Sequence, residues 1–425
     1  MPHTPLFSMM RLLPIVVFLA VNYLSYMALV RWLPFFRPGR RRTLFWIVAF
    51  SSLFPPLYSV ATGFQTQEAW LRWLYYPAFA WIMAQIIFLL AVPLVFLLSR
   101  IQRSLEQEEL QKKASPAQEA SFDHPLSTKG EREPSPLPSA SQVHKPEKVT
   151  RRELLQATIT AVPFIALTTS LDGVFLGDRR IVTRLYPVTI PGLSKNLEGL
   201  RITQVSDIHL GTFFPLDRLD DALDMIQKQQ PDILTITGDF VDNLELLGPA
   251  IEKTERLSTS LGSFYCLGNH EHFRDLDQVI AAFQKSTIRH LYNQSAAINN
   301  GDLYLLGVDY PFAKAGESRS ATRERLLSQA LAQASQDVPK ILLSHHPDGF
   351  NEAKKAGVAL TLSGHTHGGQ VGIGDRSLFP WAMEYMRGWY GDDEHKLFVN
   401  SGLGHWMPFR LGCPSEIVTF VLRSA

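Results

Sequence analysis

The first hundred residues contain three apolar stretches with no charged side chain inside them. They cover residues 12–30, 44–64 and 77–99, and each has about the 20 residues that a helix needs to cross the hydrocarbon core of a membrane. Tryptophan and tyrosine residues cluster near their ends, as they do at membrane surfaces. We therefore predict a transmembrane anchor of three helices within residues 1–105, in preference to a buried helix bundle, with the second helix kinked at Pro55-Pro56.

The pattern changes after this anchor. Residues 106–153 are rich in Pro, Ser, Glu and Lys and poor in aromatic residues, which predicts a disordered linker. Residues 154–173 are apolar again and follow the pair Arg151-Arg152, so they resemble a twin-arginine export signal or a plain fourth membrane helix. No cleavage site of small residues follows, so a retained anchor is expected. A helix lying on the membrane surface, which would leave the rest of the chain in the cytoplasm, is a weaker alternative.

The charge distribution predicts an orientation. The whole chain has a net charge of +1, but residues 1–105 contain nine arginines and one acid, Glu68. Five of these arginines lie between the first two apolar stretches, and Arg72 is the only one between the second and third. The positive-inside rule then places the first loop in the cytoplasm and everything after residue 171 outside. The apolar stretches hold no ionisable residue, which indicates an anchor and not a transporter.

Five short apolar runs between residues 200 and 370 each end in residues that can bind metal ions. Runs of this length, separated by helical patterns at 216–229, 246–260, 321–333 and 347–356, predict the buried strands of an α/β sheet. Because loops at the carboxyl ends of such strands converge on one crevice, these residues are expected to meet. The runs and the residues that follow them are 201–206 before Asp207-Ile208-His209, 233–237 before Gly238-Asp239, 264–267 before Gly268-Asn269-His270-Glu271, 341–344 before His345-His346, and 359–363 before Gly364-His365-Thr366-His367.

The candidate ligands are all oxygen or imidazole donors. The chain has two cysteines, Cys266 and Cys413, and both are expected to be buried and structural. Carboxylate, imidazole and amide ligands suit two divalent ions of manganese, iron or zinc. A two-metal centre clamps the attacking and leaving oxygens of an in-line displacement at phosphorus.

These motifs, in this order, resemble the calcineurin-like metallophosphoesterase superfamily over about residues 180–423. The stretch from Gly364 to Gln370 and the closing stretch from Pro408 to Ile417 are similar to its membrane-associated bacterial branch. That branch includes exported phosphodiesterases and enzymes that cleave UDP-2,3-diacylglucosamine. The resemblance implies a four-layer α/β/β/α sandwich for residues 174–425.

The resemblance also implies roles for individual residues. One metal would be held by Asp207, His209 and His367, the other by Asn269, His345 and His365, with Asp239 bridging both. A hydroxide between the metals would attack phosphorus, and His270 would stabilise or protonate the leaving oxygen. His346 and Arg410 are candidate substrate-binding residues. The alternative for His346 is a supporting role beside the ligands, and the alternative for Arg410 is a buried salt bridge. Asp242 is expected to orient a loop, and His272 to contact substrate or face solvent.

These patterns together predict a multi-pass protein of the cell (inner) membrane with an extracytoplasmic phosphohydrolase domain. Its expected substrate is a phosphodiester or pyrophosphate in a phosphorylated lipid or a lipid-linked nucleotide. The alternatives are a UDP-2,3-diacylglucosamine pyrophosphatase, which needs a cytoplasmic active site, and a non-catalytic membrane sensor or scaffold. The acidic catalytic region argues against a nucleic-acid substrate, and no obligate protein partner is predicted.

Overall fold

The chain begins with a helical region and continues into a region of two β-sheets. The computed structural model describes residues 5–33, 37, 39–61, 69–114, 150–405 and 407–425. The helices of the first region are α1 (Pro5–Trp32), α2 (Gly39–Ser51), α3 (Phe54–Ala61), α4 (Arg72–Ala114) and α5 (Arg151–Leu171). A short π-helical turn, Asp172–Gly177, extends α5.

Two of these helical segments, Arg72–Ser104 and Glu153–Gly177, are long and apolar enough to cross a membrane. Ile15–Arg31 is apolar but shorter. The second predicted span is not one continuous helix, because α2 ends at Ser51 and α3 begins at Phe54, immediately before Pro55-Pro56. Proline favours the first turn of a helix and lacks the N–H that would continue one, so the break lies where the sequence demands it.

The segment predicted as a linker is helical at both ends. Helix α4 continues to Ala114, and α5 begins at Arg151 after a capping box between Thr150 and Glu153. The reciprocal hydrogen bonds of this box satisfy two N–H groups that a helix start otherwise leaves free. The predicted disorder of residues 115–149 lies outside the described residues.

The second region contains two mixed six-stranded sheets. The strands of this region are β1 (Ile181–Ile190), β2 (Arg201–Val205), β3 (Ile233–Thr237), β4 (Ser263–Cys266), β5 (Arg289–His290), β6 (Gln294–Ile298), β7 (Leu303–Gly307), β8 (Lys340–Leu343), β9 (Leu360–Ser363), β10 (Gly372–Ile373), β11 (Arg376–Ser377), β12 (Gly388–Gly391), β13 (Lys396–Val399) and β14 (Ser415–Ser424). The strand orders of the two sheets are β1-β14-β2-β3-β4-β5 and β12-β13-β9-β8-β7-β6, and β10 and β11 pair separately. Strands β2, β3 and β4 are parallel neighbours, as are β13, β9 and β8.

The two sheets pack face to face and helices cover their outer faces. Ile202 and Phe264 of the first sheet meet Leu343 and Phe398 of the second in one buried cluster. The outer layers consist of α6 (Leu216–Gln227), α7 (Leu247–Glu255) and α9 (Leu276–Gln284) on one side and α10 (Arg319–Leu331) and α11 (Gly349–Lys355) on the other. A further short helix, α8 (Asn269–Phe273), lies at the end of β4. The predicted four-layer α/β/β/α sandwich is confirmed.

The helical region packs on the sandwich through one end of an antiparallel pair, α4 and α5. The Ser170 hydroxyl of α5 donates a hydrogen bond to the Ala80 carbonyl of α4 at 2.7 Å. Near this end, Tyr76, Val174 and Phe409 share a buried apolar cluster. The packing is close, since a Cβ on Gly173 would lie 2.4 Å from the Phe409 ring. The start of α4 and the end of α5 therefore lie against the sandwich.

Candidate metal centre

The candidate ligands follow the carboxyl ends of five strands, β2, β3, β4, β8 and β9. Asp207, His209, Asp239, His365 and His367 all have positive φ, between 49° and 72°. The left-handed region is strained for residues with a Cβ and is concentrated at functional sites. This conformation turns the chain sharply after β2, β3 and β9 and brings side chains of both sheets into one crevice.

The first group of potential ligands is Asp207, His209 and His367, all buried. The Nε2 atoms of His209 and His367 lie 3.1 Å apart, and His367 Nε2 lies 3.4 Å from Asp207 Oδ1. Two imidazole nitrogens at this separation repel unless a proton or a cation lies between them. The backbone N–H of His365 donates to both Asp207 oxygens at 3.0 Å, which fixes the carboxylate.

The second group is Asp239, His345 and His365. His345 Nε2 lies 3.1 Å from Asp239 Oδ2 and 4.0 Å from Asp207 Oδ1. The other ring nitrogen of His345 lies 2.8 Å from the Thr237 carbonyl, so in the neutral ring the proton would lie on Nδ1 and Nε2 would be free to bind a cation. Asp239 also lies 3.6 Å from His209 of the first group, so this carboxylate joins the two groups.

Asn269 is the remaining residue of the predicted ligand set. Its side-chain oxygen is buried and has no hydrogen-bond partner among the described residues. Buried polar atoms are normally satisfied, so an unpaired amide oxygen beside a carboxylate cluster is the arrangement that a cation would complete. The residues on either side also contact Asp239, because the His270 N–H donates to Asp239 Oδ1 at 2.9 Å and a Cβ on Gly268 would lie 2.2 Å from the same oxygen.

The electrostatics of the crevice favour positive charge. Burial disfavours protonated His209 and His345, but Asp242 and Asp239 respectively outweigh it and raise the pKa of His209 to about 9 and of His345 to about 10. Burial lowers the pKa of His365 to about 2 and that of His367 well below its usual value. The carboxylates thus favour cations in the crevice, while the imidazoles of His365 and His367 remain neutral. The donor set and its charge fit divalent metal ions.

Asp242 holds two histidines at once. One of its oxygens lies 3.1 Å from His209 Nδ1 and the other 2.6 Å from His270 Nδ1, while Arg274 donates to it at 3.1 Å. A carboxylate that accepts from Nδ1 fixes the ring and leaves Nε2 facing the crevice. Asp242 therefore orients side chains of the site, a more direct role than the loop-orienting one that its motif predicted.

Glu271 supports the site, although the Gly-Asn-His-Glu motif predicted roles only for Asn269 and His270. It is fully buried, and its carboxylate accepts from the backbone N–H groups of Asp239, Phe240 and Gly268 at 2.7 to 3.1 Å. These three bonds fix the β3 and β4 turns relative to each other. The Glu three residues after Gly268 is the capping-box signal that could have identified it.

The two candidate substrate-binding residues, His346 and Arg410, lie in different surroundings. His346 is buried with its ring centre 4.8 Å from that of His365, so it lies beside the ligands. Arg410 is 1% exposed, and its guanidinium donates to the backbone carbonyls of Ser401, Gly402, Gly404 and Cys413. A side chain used in this way organises its own loop, which contradicts the substrate-binding role predicted for Arg410 and equally the salt-bridge alternative.

His272 faces away from the cluster. Its Nε2 lies 2.7 Å from Asp309 Oδ1, and its ring packs against Phe312. Cys266 and Cys413 are both buried with free thiols, as predicted.

Comparison with known proteins identifies the family. Residues 200–369 match the calcineurin-like phosphoesterase family. A metallophosphoesterase of Aquifex aeolicus is 33% identical over 241 residues, which cover 56% of this chain and 90% of that protein. The chain therefore belongs to the calcineurin-like metallophosphoesterase family.

Two other relatives have informative names. A transmembrane protein with metallophosphoesterase domain from Danio rerio is 29% identical over 56% of this chain and 56% of its own. The UDP-2,3-diacylglucosamine pyrophosphatase LpxG of Chlamydia trachomatis is 26% identical over 56% of this chain and 87% of its own. The chain spans 56 to 65% of the length of the first curated relatives it matches. Solved structures, among them a dimetal phosphatase from Danio rerio, align over 48% of the chain at TM-scores of 0.30 to 0.35 and 11 to 13% identity.

Proposed function

We propose that this protein hydrolyses a phosphodiester or pyrophosphate bond in a lipid or lipid-linked substrate, at a two-metal centre held next to a membrane. The observation that carries this proposal is the double cluster of Asp207, His209 and His367 with Asp239, His345 and His365. This cluster lies in a sandwich whose neighbouring helices are apolar enough to cross a membrane. Family membership supports the reaction class, and the apolar helices support a location at the membrane.

The two clusters support a specific assignment of ligands. Asp207, His209 and His367 would hold one ion, and Asn269, His345 and His365 the other. Asp239 would bridge them, since it lies 3.6 Å from His209 and 3.1 Å from His345. When bound, such a pair of divalent ions supplies Lewis-acid polarisation of the phosphoryl oxygens and activates water for attack.

We assign to His270 the stabilisation or protonation of the leaving oxygen. Its Nδ1 is engaged by Asp242 at 2.6 Å, so the protonated ring has Nε2–H available for the oxygen that departs from phosphorus. Its backbone N–H is anchored on Asp239 at 2.9 Å. The ring is thereby kept within a fixed distance of the metal ligands.

The helical pair favours an extracytoplasmic active site. The sandwich packs around Tyr76 and Val174, at the start of α4 and just past the end of α5. Arg100 and Arg103 lie some seven turns further along α4, about 36 Å away at 1.5 Å per residue. Basic residues mark the cytoplasmic end of a membrane helix, so the catalytic region would lie on the opposite face of the cell membrane.

Cleavage of UDP-2,3-diacylglucosamine is the second candidate. The match to LpxG, which covers 87% of that protein, favours it. That reaction uses a cytoplasmic nucleotide, whereas Arg100 and Arg103, on the part of α4 far from the sandwich, favour an outward-facing site. Reporter fusions after Leu171 separate the two candidates, because a periplasmically active reporter supports general lipid phosphodiester cleavage and a cytoplasmically active one supports the nucleotide substrate.

Metal analysis combined with hydrolysis of bis-p-nitrophenyl phosphate tests the enzyme assignment. We expect about two metal ions per chain and loss of hydrolysis in Asp239→Asn and His270→Ala, with His272→Ala as the matched control because His272 pairs with Asp309 outside the cluster. Absence of metal, or full activity in the first two variants, would instead support a non-catalytic sensor or scaffold.

A further inference from the structure

A cavity of about 610 Å³ lies at the junction of the helical region and the sandwich. It is separate from the ligand cluster and lies where α4 begins. Four arginines line it, together with two acids: Arg72, Arg179, Arg180, Arg218, Asp217 and Asp221. The cavity is thus positively charged on balance.

The arginines of this cavity differ in the hydrogen bonds and ion pairs that they already form. Arg218 is already engaged, since it donates to the carboxylate of Asp178 and to the Phe213 carbonyl. Arg179 and Arg180 are exposed, and no carboxylate of the described residues lies within 4.0 Å of their guanidinium groups. Arg72 lies over the Trp73 ring at 5.4 Å. Two guanidinium groups are therefore available for an anion.

The surroundings specify what kind of anion the cavity fits. Trp73 lines the cavity and is 64% exposed, and Leu74 next to it is 41% exposed. Both lie in the first turn of Arg72–Ser104, the segment long and apolar enough to span a membrane. Tryptophan and arginine at such a position lie at headgroup depth. An amphiphile with an anionic head matches both surfaces, whereas a free phosphate matches the arginines alone.

We propose that this junction cavity binds the phosphate of an anionic phospholipid, with Arg179 and Arg180 as its main ligands and Trp73 beside the glycerol and acyl region. The site is distinct from the catalytic centre and holds a lipid that is not hydrolysed. It rests on the membrane location proposed above and not on the metal chemistry. Arginine forks bind phosphate oxygens in pairs, and a lipid held there would fasten the sandwich to the bilayer.

The test compares lipids retained by the full chain. Protein from nanodiscs of equal phosphatidylglycerol and phosphatidylcholine is released into mild detergent, and bound lipid is counted by native mass spectrometry. We expect the wild type to retain phosphatidylglycerol in preference, and Arg179→Gln/Arg180→Gln to retain about tenfold less, since each basic residue contributes to binding of anionic lipid. Arg256→Gln/Arg423→Gln removes two exposed arginines elsewhere and should retain as much as the wild type.

Three results would overturn the proposal: equal retention by the Arg179/Arg180 variant, equal retention of phosphatidylcholine, or binding of glycerol phosphate as tight as that of the lipid. The charge-conserving Arg179→Lys/Arg180→Lys should retain more lipid than the glutamine variant but less than the wild type, because lysine keeps the charge and lacks the paired donors of the guanidinium. Hydrolysis of bis-p-nitrophenyl phosphate should stay unchanged in every variant. That activity shows that the variants fold, and separates a failure here from a failure of the proposed catalysis.

Discussion

The carboxylate of Asp242 lies 2.6 Å from His270 Nδ1, and its second oxygen lies 3.1 Å from His209 Nδ1. One acid thus sets the ring orientation of a potential metal ligand and of the residue assigned to the leaving group. Burial would raise the pKa of Asp242, but the two histidines hold it well below its usual value. The carboxylate is therefore ionised throughout the working pH range.

Replacing Asp242 should weaken both metal binding and catalysis. In Asp242→Asn the amide oxygen can accept from one histidine, while the NH₂ group faces the other and cannot accept from it. We expect about 10- to 100-fold loss of metal affinity or activity, as for other partners of ligating histidines. Asp309→Asn is the control, because Asp309 pairs with His272 outside the cluster. Unchanged zinc or manganese affinity in Asp242→Asn would contradict the role assigned here.

A methyl group on Gly268 should disrupt the centre without unfolding the protein. The added Cβ would lie 2.2 Å from Asp239 Oδ1 and 2.5 Å from the Asp239 nitrogen, so the bridging carboxylate must move. A shift of this kind costs on the order of 100-fold in rate. Gly248→Ala is the matched control, since nothing lies within 4 Å of its Cβ and alanine suits its helix. Metal content and diester hydrolysis are measured for both, and equal values would refute the packing argument.

The sequence predicted the ligand cluster because its information is local. Each ligand directly follows a short apolar run, and parallel strands place their carboxyl ends at one edge. The observed strands β2, β3, β8 and β9 differ from the predicted runs by one residue or less at either end. The residues of the two His/Asp groups could therefore be identified from the sequence before any distance was known.

Contacts made by tertiary packing could not be predicted in this way. Arg410 lies near the end of the chain, and only the folded loop shows that its guanidinium donates to four backbone carbonyls. The positive φ of Asp207 and Asp239 could not be predicted from the sequence either, because aspartate has no obligatory backbone conformation.

Metal binding should release protons and weaken as the pH falls. Without metal, Asp242 and Asp239 outweigh the effect of burial and keep the pKa of His209 near 9 and that of His345 near 10. Both rings are therefore doubly protonated and positively charged at pH 7. Binding requires neutral imidazoles. We expect release of about two protons per chain and a steep rise of affinity with pH up to those values. Calorimetry of the metal-free protein in two buffers of different ionisation enthalpy counts the protons, and a count of zero would contradict the prediction.

His290 should make the fold sensitive to acid independently of the metal centre. It lies on β5 against Tyr265, its Nε2 is buried without a partner among the described residues, and burial lowers its pKa to about 4. Its pKa in the unfolded chain is about 6.5. Between pH 4 and pH 6.5, His290 is protonated in the unfolded chain and neutral in the folded chain. Its contribution to the free energy of unfolding is therefore fully present above pH 6.5 and is lost as the pH drops to 4.

The cost at pH 4 is at most about 3 kcal/mol, from 1.36 kcal/mol per pKa unit. His290→Gln cannot be protonated, so its free energy of unfolding should fall less between pH 7 and pH 4 than that of the wild type, by up to this amount. Denaturant unfolding of the metal-free protein at both pH values measures the difference, and other buried histidines cancel because both proteins contain them. An identical pH dependence in the two proteins would show that His290 is protonated in the folded state.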